Sequence, residues 1–182
     1  VIAILMGLMT GIIVGLLNGF IVVKAGIPPL IVTLGMMYVA RGAVSVITQG
    51  VPIYPLPAAL KAIDKIRIVG IPMVIIVAVL LALIGYILLT QTPFGRNIYA
   101  LGGNEEAARI SGINIKKTRL IVYIITSFLA SLSGIFITAR LGSAEAAAGT
   151  GFEMTVICGA IIGGVSTFGG VGSVIGASIG AF

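Results

Sequence analysis

Long apolar runs alternate with short polar stretches along the whole sequence. A helix rises about 1.5 Å per residue, so about 20 apolar residues cross a hydrocarbon core of about 30 Å. Four runs come close to that length, and we predict that each is a transmembrane helix: residues 1–23, 29–48, 71–89 and 120–141. The pattern therefore predicts an all-α fold, a polytopic transmembrane helical bundle.

A further apolar region follows residue 153 and is interrupted by two glycine pairs, Gly163-Gly164 and Gly169-Gly170. We expect a half-helix, a glycine break and a second helix there. The run 29–48 is also a candidate for a broken or re-entrant helix, because it begins at prolines and contains Gly35 and Gly42. Residues 49–70 are interpreted as a loop with one short surface helix, and residues 142–153 as a second loop.

Glycines recur at every fourth position in two of the apolar runs. Residues four apart share one helical face, and a face without side chains lets another helix approach closely. A ligand-contacting glycine face is the alternative for the first stripe. We predict helix packing through both stripes, Gly7, Gly11, Gly15 and Gly19 in the first run and Gly172, Gly176 and Gly180 in the last. Ser127, Ser131, Gly134 and Thr138 form a similar small-residue face.

Residues 92–119 form the longest polar interruption, and residues 104–112 within it carry helix signals. Asn104 suits the N-cap, two glutamates follow in the first turn, and Gly112 suits the position after the helix end. Glu105 and Arg109 have the spacing of an ion pair. Gly102-Gly103 is expected to let the chain turn into the helix. So short a helix is not stable alone, and something must pack against it.

The charge distribution predicts how the chain is oriented. Only 9% of the residues are charged, 59% are hydrophobic, and the net charge is +6; the mean hydropathy is +1.25. Such values exclude an ordinary soluble domain. Five Lys or Arg lie in residues 92–119, three in 49–70 and none in 142–153. The positive-inside rule therefore explains the charge by a lipid bilayer, without nucleic acid, and puts residues 92–119 and Lys24 on the cytoplasmic side.

The residue types exclude most chemistry. The sequence has no histidine, and its one cysteine, Cys158, lies in an apolar run, so we expect no metal site, no cofactor and no enzyme activity. Neither a dinucleotide fingerprint nor a Walker A loop is present in the glycine-rich tail. Uphill transport would therefore need energy from a partner.

Polar residues on the predicted spans are candidates for a translocation path. Each of them is more often a structural residue than a solute contact, and Arg41 is expected to extend toward the outer surface. The five candidates are Asn18, Thr33, Arg41, Ser45 and Thr155.

Several motifs resemble one transporter family. FGRNIYALGGN at residues 94–104 and EAARISGI at 106–113 are similar to the cytoplasmic loop of the permease subunit of monosaccharide ABC importers of the ribose type. Residues 29–36 with Arg41-Gly42, and residues 151–153, 162–166 and 169–172, also resemble that family. The resemblance covers nearly the whole chain in the family's order and spacing.

The resemblance implies a multi-pass protein of the bacterial cytoplasmic (inner) membrane that translocates a monosaccharide. Its implied partners are cytoplasmic ATP-binding subunits, a second permease chain and an extracytoplasmic sugar-binding protein. The short helix would be the coupling helix that docks on the ATP-binding subunit, with Ala107 and Ala108 as its main contact. The residues of this coupling helix are Asn104, Glu105, Glu106, Ala107, Ala108, Arg109, Ser111 and Gly112.

Two other functions stay open. Branched-chain amino acid ABC permeases have a similar loop, and a secondary carrier or channel could work with broken helices and no ATPase. Because residue 1 is already inside an apolar run and residue 182 ends another, we expect residues 1–182 to be a single transmembrane permease domain truncated at both ends.

Overall fold

The computed structural model describes residues 2–68 and 70–181. Helices dominate the described residues, and four of them are long and apolar enough to cross a membrane. The all-α, polytopic fold is therefore confirmed. In chain order the elements are α1 Ile2–Ala25, α2 Pro29–Thr48, α3 Ala58–Lys65, β1 Arg67–Ile68, β2 Ile71–Pro72, α4 Met73–Gln91, α5 Pro93–Gly103, α6 Glu105–Ile110, α7 Ile115–Leu141, α8 Phe152–Ile162 and α9 Val174–Gly180.

Local sequence signals set the bounds of several helices. Helix α2 covers the predicted residues 29–48, starting with Pro29 in its first turn and ending where Gln49 adopts a left-handed conformation, φ 52°. Proline suits the first helical turn because its missing N–H has no partner there in any case. The surface helix expected within 49–70 is α3. It is followed by a short antiparallel hairpin of the strands β1 and β2, each two residues long. The sequence did not predict this hairpin.

Residues 92–119, for which the sequence predicts one short helix, are mostly helical. Thr92 caps α5, its hydroxyl oxygen accepting a hydrogen bond from the Gly95 N–H at 3.2 Å, and Pro93 begins the helix. Helix α7 starts at Ile115 instead of residue 120, since the Asn114 side-chain oxygen accepts from the Lys117 N–H at 3.0 Å. A polar helix lacks the long apolar run by which the membrane spans were recognised.

The chain divides into two compact units, and the first contains α1, α2, α3, the hairpin and most of α7. Within it, α1 and α7 run antiparallel, since Gly7 faces Ile135 and Gly19 faces Leu120. A Cβ atom built on Gly15 would lie only 2.8 Å from the Tyr123 carbonyl oxygen. The first glycine stripe therefore brings the backbones of two long helices into direct contact.

Two of the predicted loops meet in the same unit. The Ile53 N–H donates to the Ala144 carbonyl at 2.9 Å, and the Ala144 N–H donates back to the Ile53 carbonyl at 3.1 Å. Ile53 and Ala144 thus join the two predicted loops. Because these loops follow the second and the fourth predicted span, they are expected on one side of the membrane, and this pairing agrees with that expectation.

The second unit contains most of α4, all of α5 and α6, and the hairpin of α8 and α9. The break predicted between the last two helices is present, with α8 ending at Ile162 and α9 beginning at Val174. Two glycines of the second stripe lie against glycines in and just after α8: Gly176 faces Gly163, and Gly180 faces Gly159. The third, Gly172, faces Val165. A Cβ atom on Gly180 would lie 2.6 Å from the Gly163 nitrogen, so these helices also touch through their backbones.

Replacing Gly15 by alanine should destabilise the protein, whereas the same change at Gly35 should not. A methyl group at residue 15 would press on the Tyr123 backbone, and overpacking costs about 1–3 kcal/mol. The ideal Cβ of Gly35 has no atom within 4 Å, and alanine favours helix by about 1 kcal/mol over glycine.

The measurement is thermal unfolding of the full-length protein in detergent. We expect a lower midpoint for Gly15→Ala than for the unmodified protein, and an equal or higher midpoint for the matched control Gly35→Ala. Equal midpoints in the two variants would show that α1 and α7 are not in backbone contact.

Candidate functional site

The short helix α6 is held at both ends by its own side chains. The Asn104 side-chain oxygen accepts a hydrogen bond from the Ala107 N–H at 2.9 Å, which caps the helix start. At the other end the Ser111 hydroxyl donates to the Ala107 carbonyl at 2.9 Å, and Gly112 takes a left-handed conformation, φ 80°. These contacts keep residues 104–112, hereafter the α6 segment, in a defined shape.

An ion pair lies on the outer surface of α6. Arg109 Nη2 is 2.6 Å from Glu106 Oε1, and the two side chains are 69% and 64% exposed. An ion pair so open to water contributes at most about 1 kcal/mol. The pair between Glu105 and Arg109 stays a prediction.

The two alanines expected to contact a partner face in different directions. Ala108 is 2% exposed and is covered by other residues of the chain, whereas Ala107 is exposed and Ile110 is 80% exposed. Ala108 is therefore not available to a partner, and a charge placed there would test folding instead of docking. The exposed apolar face consists of Ala107 and Ile110, which lie three residues apart on one side of the helix. Because α6 has only six residues, the sequence pattern does not predict which of its faces lies against the rest of the chain.

Helix α5, which precedes α6, lies against the break between α8 and α9. The residues of this break, 163–173, are called the tip loop. The Tyr99 hydroxyl donates a hydrogen bond to the Gly172 carbonyl at 2.9 Å. Gly102 and Gly103, expected to form a turn, are the last residues of α5 and touch the backbone of the tip loop. A Cβ atom built on Gly170 would lie 2.7 Å from Gly103 Cα.

A cavity of about 520 Å³ opens beside the tip loop. Helices α4, α5 and α9 and the loop itself form its walls, which are mainly apolar. Its hydroxyl groups already have partners within the unit: Ser173 accepts from the Gly176 N–H at 3.0 Å, and Ser178 donates to the Val174 carbonyl at 2.8 Å. Thr155, the predicted path residue that belongs to this unit, does not line the cavity.

The four predicted path residues of the first unit are spread along α1 and α2. Thr33 and Ser45 lie twelve positions apart on α2, about 18 Å along the helix. The Thr33 hydroxyl donates to the Pro29 carbonyl at 3.0 Å, and that of Thr155 to the Gly151 carbonyl at 3.5 Å. Arg41 is partly exposed on α2. Within the first unit, Thr33 and Ser45 therefore do not form a common solute site.

Asn18 differs from the other path candidates. Its side chain is only 7% exposed, and its Oδ1 atom is buried without a hydrogen-bond partner among the described residues. An unsatisfied buried acceptor costs about 1–3 kcal/mol. Among the described residues, Asn18 is thus a path candidate whose buried acceptor lacks a hydrogen-bond partner. Across residues 2–68 and 70–181, no three His, Cys, Asp or Glu side chains are grouped as metal ligands.

Comparison with known proteins gives a consistent set of relatives. The chain is 42% identical over 174 residues to the D-allose transport system permease protein of Escherichia coli, covering 96% of this chain and 53% of that protein. It is 39% identical over 165 residues to the ribose import permease protein of Bacillus subtilis, covering 90% and 51%. It is 36% identical over 181 residues to the autoinducer 2 import system permease protein of Enterobacter sp., covering 100% and 53%.

These relatives are longer than the chain, which spans about half of their length. No solved structure matches the chain. The family described as the permease component of the branched-chain amino acid transport system matches residues 1–182. The chain therefore belongs to this family of ABC transporter permease components.

Proposed function

We propose that this chain is part of the permease subunit of an ABC importer that translocates a monosaccharide. The observation that carries the proposal is 36–42% identity, over nine-tenths or more of the chain, to permeases named for D-allose, ribose and autoinducer 2. Four helices long enough to cross a membrane support a multi-pass permease. Residues 1–182 would belong to one transmembrane permease domain in the bacterial cytoplasmic (inner) membrane.

The solute class follows from the relatives. Two of them are named for the sugars ribose and D-allose, which favours a monosaccharide. The family description names branched-chain amino acid transport, so a branched-chain amino acid is the alternative solute. Asn18 stays a path candidate, although its Oδ1 atom is closed to solvent within its unit. Thr33, Arg41, Ser45 and Thr155 remain further candidates along the path.

Partner subunits would supply the energy and the solute. ATP-binding subunits would hydrolyse ATP on the cytoplasmic side, an extracytoplasmic binding protein would deliver the sugar, and a second permease chain would complete the path. The permease itself would catalyse no reaction. The α6 segment would dock on the ATP-binding subunit through Ala107 and Ile110, whose exposure leaves an apolar face uncovered within this chain.

Ile110→Lys in the full-length permease should weaken docking of the ATP-binding subunit. Losing the burial of an isoleucine side chain costs about 2–3 kcal/mol, which corresponds to roughly 30- to 150-fold weaker binding. A cation in the last turn suits the helix dipole, so α6 itself should persist. The measurements are co-purification of the ATP-binding subunit and ATP-dependent uptake in proteoliposomes.

A matched control is Ala62→Lys, which adds the same charge to the exposed face of α3, another short helix. This variant should retain the ATP-binding subunit at the level of the unmodified permease. Normal co-purification of the Ile110→Lys permease would show that α6 does not dock in the way proposed.

The carrier or channel alternative predicts transport without an ATPase. We expect vesicles that contain only the full-length permease to show no sugar accumulation, and vesicles with ATP-binding subunits, binding protein and ATP to accumulate it. Accumulation by the permease alone, driven by an ion gradient, would favour the secondary carrier.

A further inference from the structure

The tip loop has little side-chain packing of its own. Gly169 and Gly170 adopt left-handed conformations, φ 92° and 74°, and Phe168 between the loop's two ends is 96% exposed. The loop closes on itself through the Ser166 N–H, which donates to the Val171 carbonyl at 2.9 Å. A loop of this kind keeps its position only if a neighbouring element holds it.

Helix α5 is that neighbour, and it holds the loop in two ways. The Tyr99 hydroxyl binds the Gly172 carbonyl immediately before Ser173, the residue that caps α9. One turn further on, Gly102 and Gly103 lie against Gly169 and Gly170 with no side chain between the two backbones. Backbone contacts of this kind cannot be absorbed by a change of rotamer, so a shift of α5 must be followed by the loop.

The α6 segment is joined to α5 almost without slack. Helix α5 ends at Gly103 and α6 begins at Glu105, so Asn104 is the one residue between them. Asn104 is fixed on both sides, its N–H donating to the Ala100 carbonyl at 3.0 Å and its side chain capping α6. A force applied to the α6 segment therefore reaches α5 directly.

We propose that Tyr99, together with the Gly102-Gly103 pair, couples α5 to the tip loop, so that a displacement of α5 moves the loop and the start of α9. The tip loop and the start of α9 both line the cavity of about 520 Å³, so this motion would change the shape of the cavity. Tyr99 is a positioning residue, because it acts through its hydrogen bond to the tip loop. The consequence for transport rests on the proposed function, whereas the contact itself does not.

The first test is Tyr99→Phe in the full-length permease, reconstituted with ATP-binding subunits and binding protein. The ring is retained and one hydrogen bond is lost, a loss that typically changes an equilibrium about fivefold. We expect sugar uptake per ATP hydrolysed to fall about fivefold, while ATP hydrolysis stays within about twofold of the unmodified complex. Tyr86→Phe is the matched control, because Tyr86 lies on α4 in the same unit and outside the residues that line the cavity.

A second variant, Gly102→Ala, perturbs the other contact. Its Cβ atom would lie 3.1 Å from Gly170 Cα and closer still to the Gly170 nitrogen, so α5 and the loop must separate. Uptake per ATP should fall in this variant as well. Unchanged uptake per ATP in both variants would overturn the proposed coupling.

Hydrogen exchange separates this proposal from the proposed function. In the purified full-length permease without partners, Tyr99→Phe should speed exchange of a peptide covering residues 163–173 about fivefold, and Tyr86→Phe should leave it unchanged. Faster exchange in a protein that transports no sugar would refute the proposed function and support the α5 contact. Unchanged exchange in Tyr99→Phe would refute the contact as the restraint on the loop.

Discussion

Contact between glycine backbones is the interaction on which the rest of this structure depends. Inside a bilayer, helices gain little by hiding apolar side chains from one another, because lipid is equally apolar, so close van der Waals packing has to hold them. Glycine permits it at three places: along α1 and α7, between α8 and α9, and between α5 and the tip loop. In each case an added Cβ atom would meet main-chain atoms, which cannot rotate out of the way.

The break between α8 and α9 adds a second constraint, which is the need to satisfy backbone hydrogen bonds. A helix that stops inside an apolar region leaves carbonyl and N–H groups without helical partners. The tip loop satisfies some of them internally, through Ser166 and Val171, and the Tyr99 hydroxyl binds the Gly172 carbonyl. Helix α5 therefore stabilises the broken helix, and the same contacts make it the element through which the break can be moved.

Residues 92–112 have two kinds of surface, one that packs within the chain and one that is exposed. Ala108 is covered by the chain and supports the fold, while Ala107 and Ile110 remain exposed for a partner. The α5 side of this region holds the tip loop, and the α6 side is the proposed docking surface. Because one residue joins the two helices, the proposed coupling would link an event at the docking surface to the position of the tip loop.

Local rules in the sequence were sufficient for much of the fold. The four long apolar runs gave the membrane-length helices, Pro29 set the start of α2, Asn104 set the start of α6, and the glycine pairs marked the break after α8. Each of these depends on residues within one or two turns of one another. The partners of those segments depend on contacts between residues far apart in the chain. Examples are the contact of α1 with α7, the contact of Gly102 with Gly169, and the burial of Ala108 close to the exposed Ile110. Helical periodicity groups residues on a face but does not say what that face touches, and the folded chain supplies that answer.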